Sequence, residues 1–120
     1  MTLITQMLNL PINAKNPLDL RVYNLVLMAK QLSNKKTYSG WTQQWSHESE
    51  VLGKNAEGNP VLMKFTVFLP PTETPVPVVY WLSGLTCTDE NFITKAVGQR
   101  YAANLGFALV CPDTSPRKLE

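Results

Sequence analysis

An unbroken apolar run in the second half of the chain constrains the fold more than any other feature. Residues 78–83 are apolar or aromatic apart from the last, and they lead directly to Gly84. A run without polar alternation is typical of a strand that is covered on both faces in a parallel sheet. The acidic pair Asp89 and Glu90 then favours the first turn of a helix. We therefore predict a buried strand, a glycine turn and a helix in succession.

A second strand is predicted after this helix. Apolar residues recur at spacings of three and four over 89–104, which indicates an amphipathic helix. Gly106 stands where a C-terminal cap in the left-handed conformation is expected. Residues 107–111 then form a second short apolar run. Strand, helix and strand make a βαβ unit, in which the two strands are parallel and the crossover is right-handed.

The segments upstream predict antiparallel strands. Residues 41–47 mix aromatic and polar side chains, which suits an antiparallel edge strand with one solvated face. Residues 31–39 are polar and basic and predict a solvated lead-in. Residues 61–70 alternate, and their apolar face consists of Met63, Phe65, Val67 and Leu69. The predicted fold class is therefore α/β, with a mixed sheet in which antiparallel edge strands precede a βαβ unit.

Composition and charge argue against several classes of function. The chain is 44% hydrophobic and 17% charged, which is ordinary for a globular domain. Its net charge of +2 comes from scattered residues that form no basic stripe, so we expect no nucleic-acid partner. No apolar run reaches the roughly 18 residues that span a bilayer, and residues 1–11 lack the features of a signal peptide. We expect no membrane association and a cytoplasmic location.

Cys87 and Cys111 are the only cysteines, and in a chain without an export signal they favour reduced thiols over a disulfide. With a single distant histidine, His47, they form no metal-ligand cluster. We therefore assign no metal and no cofactor. His47 itself is interpreted as a partly buried, hydrogen-bonded side chain on the first predicted strand.

Two motifs carry a resemblance to a known family. The sequence YWLSGLTCTDENF over 80–92, followed by PDTSPR over 112–117, resembles the N-terminal part of the S-formylglutathione hydrolases, the esterase D group of serine hydrolases. The resemblance is long and specific, and it covers about residues 32–117. It implies an α/β-hydrolase fold, of which this chain would hold a truncated N-terminal portion.

The resemblance also implies a function and a site. The implied reaction is the hydrolysis of S-formylglutathione, a small glutathione thioester, to formate and glutathione in formaldehyde detoxification, carried out by a homodimer. The turn at Gly84 and Leu85 would supply one backbone N–H of the oxyanion hole. Cys87 would lie near the active site, as a reactive thiol near a helix N-terminus or as a small buried apolar side chain.

The catalytic triad of that fold has no counterpart in this sequence. The fold requires a serine within G-x-S-x-G, then an acid, then a histidine. Trp81 stands where the first glycine before Ser83 would be, so we interpret Ser83 as a residue of the oxyanion loop. We expect the catalytic Ser, Asp and His beyond Glu120, and we predict that the chain alone is inactive. The alternative is a truncated, non-catalytic relative that acts as a binding or dimerisation module.

The remaining expectations concern the two ends of the resemblance. Asp113 and Arg117 follow a parallel strand at the edge where α/β sheets bind ligands, but we interpret them as a pair that stabilises the loop. Residues 1–31 are predicted to be an irregular extension or the product of a misplaced start, because Met28 would serve as a start and basic residues are too few for a presequence. Residues 32–120 are predicted to be the N-terminal portion of the hydrolase domain.

Overall fold

The computed structural model describes residues 28–115, which form five strands and two helices around a single sheet. The strands are β1 (Lys30–Thr37), β2 (Gly40–Glu48), β3 (Leu62–Leu69), β4 (Val78–Tyr80) and β5 (Ala108–Pro112). The helices α1 (Glu90–Lys95) and α2 (Gly98–Leu105) lie between β4 and β5. The strand order is β1-β2-β3-β5-β4, and only the pair β4 and β5 is parallel. The predicted mixed sheet with antiparallel strands before a βαβ unit is thus confirmed.

The prediction for residues 31–39 was wrong, because most of them form the edge strand β1. The strand carries three exposed lysines, Lys30, Lys35 and Lys36, of which the last two contributed to the polar and basic composition of the segment. Lysines on an edge strand discourage pairing with another chain. Consequently β2, which was predicted as an edge, is an internal strand flanked by β1 and β3.

The turn between β1 and β2 explains why the hairpin was missed. Thr37 pairs with Gly40, so the loop consists of two residues, Tyr38 and Ser39, with φ values of 47° and 64°. Two-residue loops with both φ values positive normally carry Asn-Gly or Asp-Gly. The sequence offers neither signal at this position.

The prediction that residues 78–83 form a strand buried on both faces was also wrong. β4 is only three residues long, and Val78, Val79 and Tyr80 are 50%, 42% and 68% exposed. In the described part of the chain β4 is an edge of the sheet and pairs only with β5. The helices pack on β3 and β5 rather than on β4. The apolar run therefore has a neighbouring strand on one side only, and its side chains stay largely exposed.

The single helix predicted over 89–104 is divided into α1 and α2. Val97 adopts the left-handed conformation at φ 55°, which ends the helical path between them. A Cβ on Gly98 would stand 2.4 Å from the ring of Phe92, so the two helices meet more closely than a side chain would allow. Gly106 caps α2 with φ 73°, as predicted, and its N–H donates to Ala102 O at 2.9 Å.

The core lies on both faces of the sheet. Under the helices, one cluster joins Phe68, Ile93, Ala102, Leu109 and Cys111. On the opposite face, a second cluster joins Trp45, Val67, Leu69 and Ala108. The predicted apolar face of β3 is thus buried at Val67 and Leu69, but Phe68 on the other face is equally buried because the helices cover it.

Two predictions are compared with the described residues, one on membrane spans and one on the ends of the chain. Within residues 28–115 no helix is long and apolar enough to cross a membrane. The predictions for residues 1–27 and for Arg117 lie outside the described residues. The predicted boundary between extension and domain therefore stays a prediction.

Candidate functional site

A tight turn follows β4 at the end of the parallel pair. The N–H of Cys87 donates to Gly84 O at 3.1 Å, so residues 84–87 form a hydrogen-bonded turn. Thr86 occupies its third position with φ 77°. A positive φ at this position is ordinary for glycine or asparagine, and a β-branched residue adopts it only under strain. Backbone strain of this kind concentrates at functional sites, which makes the turn a candidate.

The turn presents unpaired backbone donors. Among the described residues, the N–H groups of Leu85 and Thr86 form no hydrogen bond. The side chain of Leu85 is 80% exposed. Nothing lies within 4 Å of the position that a Cβ on Gly84 would occupy, and the φ of Gly84 is not positive. Neither the backbone nor the packing requires a glycine there, so the space beside Gly84 is open to a ligand.

The loop after β5 holds this turn in place. The Oγ1 of Thr114 lies 3.0 Å from Ser83 O, 3.1 Å from Gly84 O and 3.1 Å from Cys87 O. The N–H of Thr114 also donates to Cys87 O at 3.1 Å. Sequence reasoning pointed to the neighbours Asp113 and Arg117 and missed Thr114. The one available signal was its place in the second motif of the resemblance.

A buried carboxylate anchors the start of α1 to the sheet. Asp89 is 2% exposed, and its Oδ2 accepts hydrogen bonds from Gln44 Nε2 at 2.9 Å and from Thr66 Oγ1 at 2.7 Å. Gln44 and Thr66 are register partners on β2 and β3. The Asp89 side chain makes no capping hydrogen bond to α1. Its carboxylate instead binds the start of this helix to the sheet. The site therefore rests on two anchors, at Thr114 and at Asp89.

The two cysteines have different surroundings. Cys87 belongs to the turn and is half-buried, whereas Cys111 is 1% exposed on β5. Burial, reinforced by the nearby charge of Asp89, raises the pKa of Cys111 to about 12. Its thiol therefore stays protonated at neutral pH and is inert. Both thiols are free, and within residues 28–115 no group of three or more acidic, His or Cys side chains could hold a metal ion.

His47 and Ser83 are not brought together. The Nδ1–H of His47 donates to Glu48 O at 2.8 Å, and its ring lies 6.2 Å from that of Phe65. The interpretation of His47 as a half-buried, hydrogen-bonded residue is confirmed. β2 is separated from β4 by β3 and β5 in the sheet, so His47 is not placed to serve as a base for Ser83.

An aromatic pair borders the turn and was not foreseen. Trp81 stacks on Phe92 of α1 with ring centroids 4.0 Å apart and an interplanar angle of 22°. Trp81 remains 44% exposed. The pair links the chain just before the turn to the helix just after it. It adds a partly exposed apolar surface between the end of β4 and α1.

A cleft of about 340 Å³ lies elsewhere on the molecule. It is formed between the turn of the β1–β2 hairpin and the end of β3, and Trp41 and Pro70 line it. Because β3 runs antiparallel to β4, this cleft lies at the opposite end of the sheet from the turn at 84–87. It is therefore separate from the candidate site.

Three comparisons place the chain among known proteins. The Esterase family model, described as "Putative esterase", matches residues 60–120. An S-formylglutathione hydrolase from Arabidopsis thaliana is 46% identical over 92 residues, which cover 74% of this chain and 30% of that relative. A solved S-formylglutathione hydrolase from Agrobacterium tumefaciens is 41% identical, with a TM-score of 0.64 over 73% of this chain and 30% of the other.

These matches agree with the sheet described above. The chain spans about 30% of the length of the relatives that it matches. Its described residues form part of an α/β-hydrolase fold, as the resemblance implied. The protein belongs to the esterase family and is similar to the S-formylglutathione hydrolases within it.

Proposed function

We propose that the protein is an S-formylglutathione hydrolase that cleaves the thioester to formate and glutathione in cytoplasmic formaldehyde detoxification. The relatives that support this proposal are 46% and 41% identical to the chain. The structural observation that carries it is the unpaired N–H of Leu85 in a strained turn at the end of a parallel strand. A homodimer is part of the proposal on the same resemblance.

In this proposal the turn forms half of an oxyanion hole. When a serine hydroxyl attacks the thioester carbonyl, negative charge develops on the carbonyl oxygen. A preorganised backbone N–H at that oxygen stabilises the transition state by about 2.7–4 kcal/mol. The N–H of Leu85 is free to donate, and the open space beside Gly84 gives a substrate carbonyl access to it.

The covalent chemistry is assigned to residues outside this sequence. The serine nucleophile, the acid and the histidine base of the fold would come from beyond Glu120, in that chain order. Attack by the serine would break the carbon–sulfur bond and release glutathione as the thiol, leaving a formyl ester on the serine. Water, activated by the histidine, would then hydrolyse this ester to formate and restore the serine.

Cys87 would border this site without taking part in bond formation. Its backbone carbonyl is held by Thr114, and its side chain is half-buried beside the turn. No histidine is placed beside it among the described residues, since His47 lies on β2. The free thiols of Cys87 and Cys111 fit a reducing compartment, which supports the cytoplasmic part of the proposal.

The test is a substrate and labelling assay on the complete gene product. We expect it to hydrolyse S-formylglutathione faster than glutathione thioesters with longer acyl groups. A serine-directed fluorophosphonate should label one serine outside residues 1–120 and abolish the activity. As a matched control, Ser83→Ala should keep the labelling, because the nucleophile is assigned to a serine outside residues 1–120.

Two results would overturn the proposal. One is a complete gene product that hydrolyses neither thioesters nor simple esters. The other is labelling of Ser83 itself, which would make this serine the nucleophile. The comparisons do not favour the alternative, a non-catalytic remnant that binds or dimerises, over the hydrolase.

A further inference from the structure

We infer that Thr114 is a positioning residue that sets the direction of the Leu85 N–H, and this inference rests on the proposed function. The hydroxyl of Thr114 lies within hydrogen-bond distance of three carbonyl oxygens of one turn, those of Ser83, Gly84 and Cys87. All three distances are between 3.0 and 3.1 Å. The hydroxyl has one proton, which these three carbonyl oxygens share as alternative or bifurcated acceptors, so all three carbonyls face the Thr114 side of the turn.

Because the peptide bond is planar, the direction of the Gly84 carbonyl also fixes the direction of the Leu85 N–H. The carbonyl of Gly84 and the N–H of Leu85 belong to the same peptide unit, and no peptide bond in the described residues is cis. In a trans peptide the C=O and the N–H point in opposite directions. The Gly84 carbonyl faces Thr114 and Cys87 N, so the Leu85 N–H must point away from them, toward the open side of the turn.

The hydroxyl of Thr114 is the main constraint on the first part of the turn. Gly84 O also accepts the Cys87 N–H, but Ser83 O has no other hydrogen-bond donor among the described residues. Cys87 O retains the Thr114 N–H even when the side chain is removed. Loss of the hydroxyl would therefore leave Ser83 O without a donor and Gly84 O held by the Cys87 N–H alone, while the two loops stay in contact.

Thr114 is itself held on both sides. The N–H of Asp113 donates to Lys64 O on β3 at 3.0 Å. The carboxylate of Asp113 accepts hydrogen bonds from the N–H of Ser115 at 2.9 Å and from its hydroxyl at 2.6 Å. A small local turn of this kind fixes the residue at its centre. Thr114, which holds the oxyanion turn, is thus itself fixed to the sheet through Asp113.

The test compares three variants of the complete gene product. Thr114→Val removes the hydroxyl at nearly constant shape, and Thr114→Ser retains it. Thr94→Val is the matched control, because the Thr94 hydroxyl also donates to a backbone carbonyl, Glu90 O at 2.7 Å, but away from the turn. The readouts are kcat and KM for S-formylglutathione, and the amide exchange rate of Cys87, whose N–H closes the turn.

We expect Thr114→Val to lower kcat and to accelerate exchange at Cys87, each by about tenfold, with KM nearly unchanged. Thr114→Ser should restore both values, and Thr94→Val should change neither. The inference is overturned if Thr114→Val leaves either readout unchanged in an active enzyme, or if Thr94→Val produces the same losses.

The same experiment separates this inference from the proposed function. A wild-type protein without hydrolase activity would contradict the proposed function, and the exchange rate at Cys87 would then decide alone whether Thr114 holds the turn. Unchanged exchange in Thr114→Val would refute the positioning role even in a protein that hydrolyses the thioester.

Discussion

The hydroxyl of Thr66 donates a hydrogen bond of 2.7 Å to the buried carboxylate of Asp89 and thereby ties the start of α1 to the centre of the sheet. Gln44 on the neighbouring strand donates a second bond to the same oxygen, at 2.9 Å. The carboxylate also lies at the N-terminus of α1, where the helix dipole favours negative charge. These contacts fix the chain on the helix side of the candidate oxyanion turn.

Replacing Asp89 should therefore destabilise the fold. Asp89→Ala leaves the buried hydroxyl of Thr66 and the half-buried amide of Gln44 without an acceptor, and we expect a loss of about 3 kcal/mol in the free energy of unfolding. Asp89→Asn keeps one acceptor oxygen and should cost about half as much. Urea denaturation of the complete gene product measures both, with exposed Glu90→Ala as a control that changes stability by less than about 0.5 kcal/mol. Equal stability of Asp89→Ala and the control would refute the anchor.

The buried thiol of Cys111 should make stability fall at alkaline pH. Its pKa is raised from 9.0 to about 12 in the folded protein, first by burial and then by the charge of Asp89. Below pH 9 the thiol is protonated in both the folded and the unfolded chain, so its contribution is complete. Above pH 9 the unfolded chain loses the proton while the folded chain keeps it, which favours unfolding progressively up to about pH 12.

Cys111→Ala provides the comparison for this pH dependence. The free energy of unfolding of the wild type should decline more steeply between pH 9 and pH 11 than that of the variant, as measured by urea titration at each pH. Parallel curves for the two proteins would mean that the Cys111 thiol ionises equally in both states.

The left-handed Val97 between α1 and α2 gives a stabilising substitution. A β-branched residue at φ 55° carries about 1–3 kcal/mol of backbone strain, which glycine does not. Val97 is 41% exposed, so Val97→Gly loses little packing. After the entropic cost of glycine, we expect a net gain of about 1 kcal/mol in the free energy of unfolding. Val97→Ala keeps a Cβ at the same φ and should give a smaller gain. If urea denaturation shows that Val97→Gly is less stable than Val97→Ala, backbone strain at Val97 is refuted.

Much of the fold could be predicted from local patterns, and the failures have identifiable causes. The βαβ unit and the cap at Gly106 follow from periodicity and from one glycine, both of which are local signals. The hairpin of β1 and β2 was missed because its turn uses Tyr38 and Ser39. The break between the helices lies at the left-handed Val97, next to the close approach of Gly98 to Phe92, and no pattern of hydrophobicity encodes either feature.

The candidate site could be predicted only in part, because only part of it is contiguous in sequence. The turn at Gly84 and Leu85 is contiguous in sequence, so a motif was enough to single it out. Its supports are not contiguous: Thr114 reaches it across 30 residues, and Asp89 reaches Gln44 across 45. Contacts between distant segments appear only when the sheet brings β2, β3 and β5 together.

The backbone N–H of Leu85 is the group proposed to stabilise the developing oxyanion. Leu85→Pro deletes this N–H, and proline is well suited to the second position of such a turn, where the N–H of Leu85 has no partner to lose among the described residues. Leu85→Ala trims the side chain and keeps the N–H, so it serves as the matched control.

The deciding measurement is kcat for S-formylglutathione hydrolysis by these two variants of the complete gene product. We predict that Leu85→Pro lowers kcat by about 10²–10³ with little change in thermal stability, while Leu85→Ala stays near the wild type. A Leu85→Pro enzyme that folds normally and retains a kcat within about threefold of the wild type would contradict the assignment of the oxyanion hole to this turn.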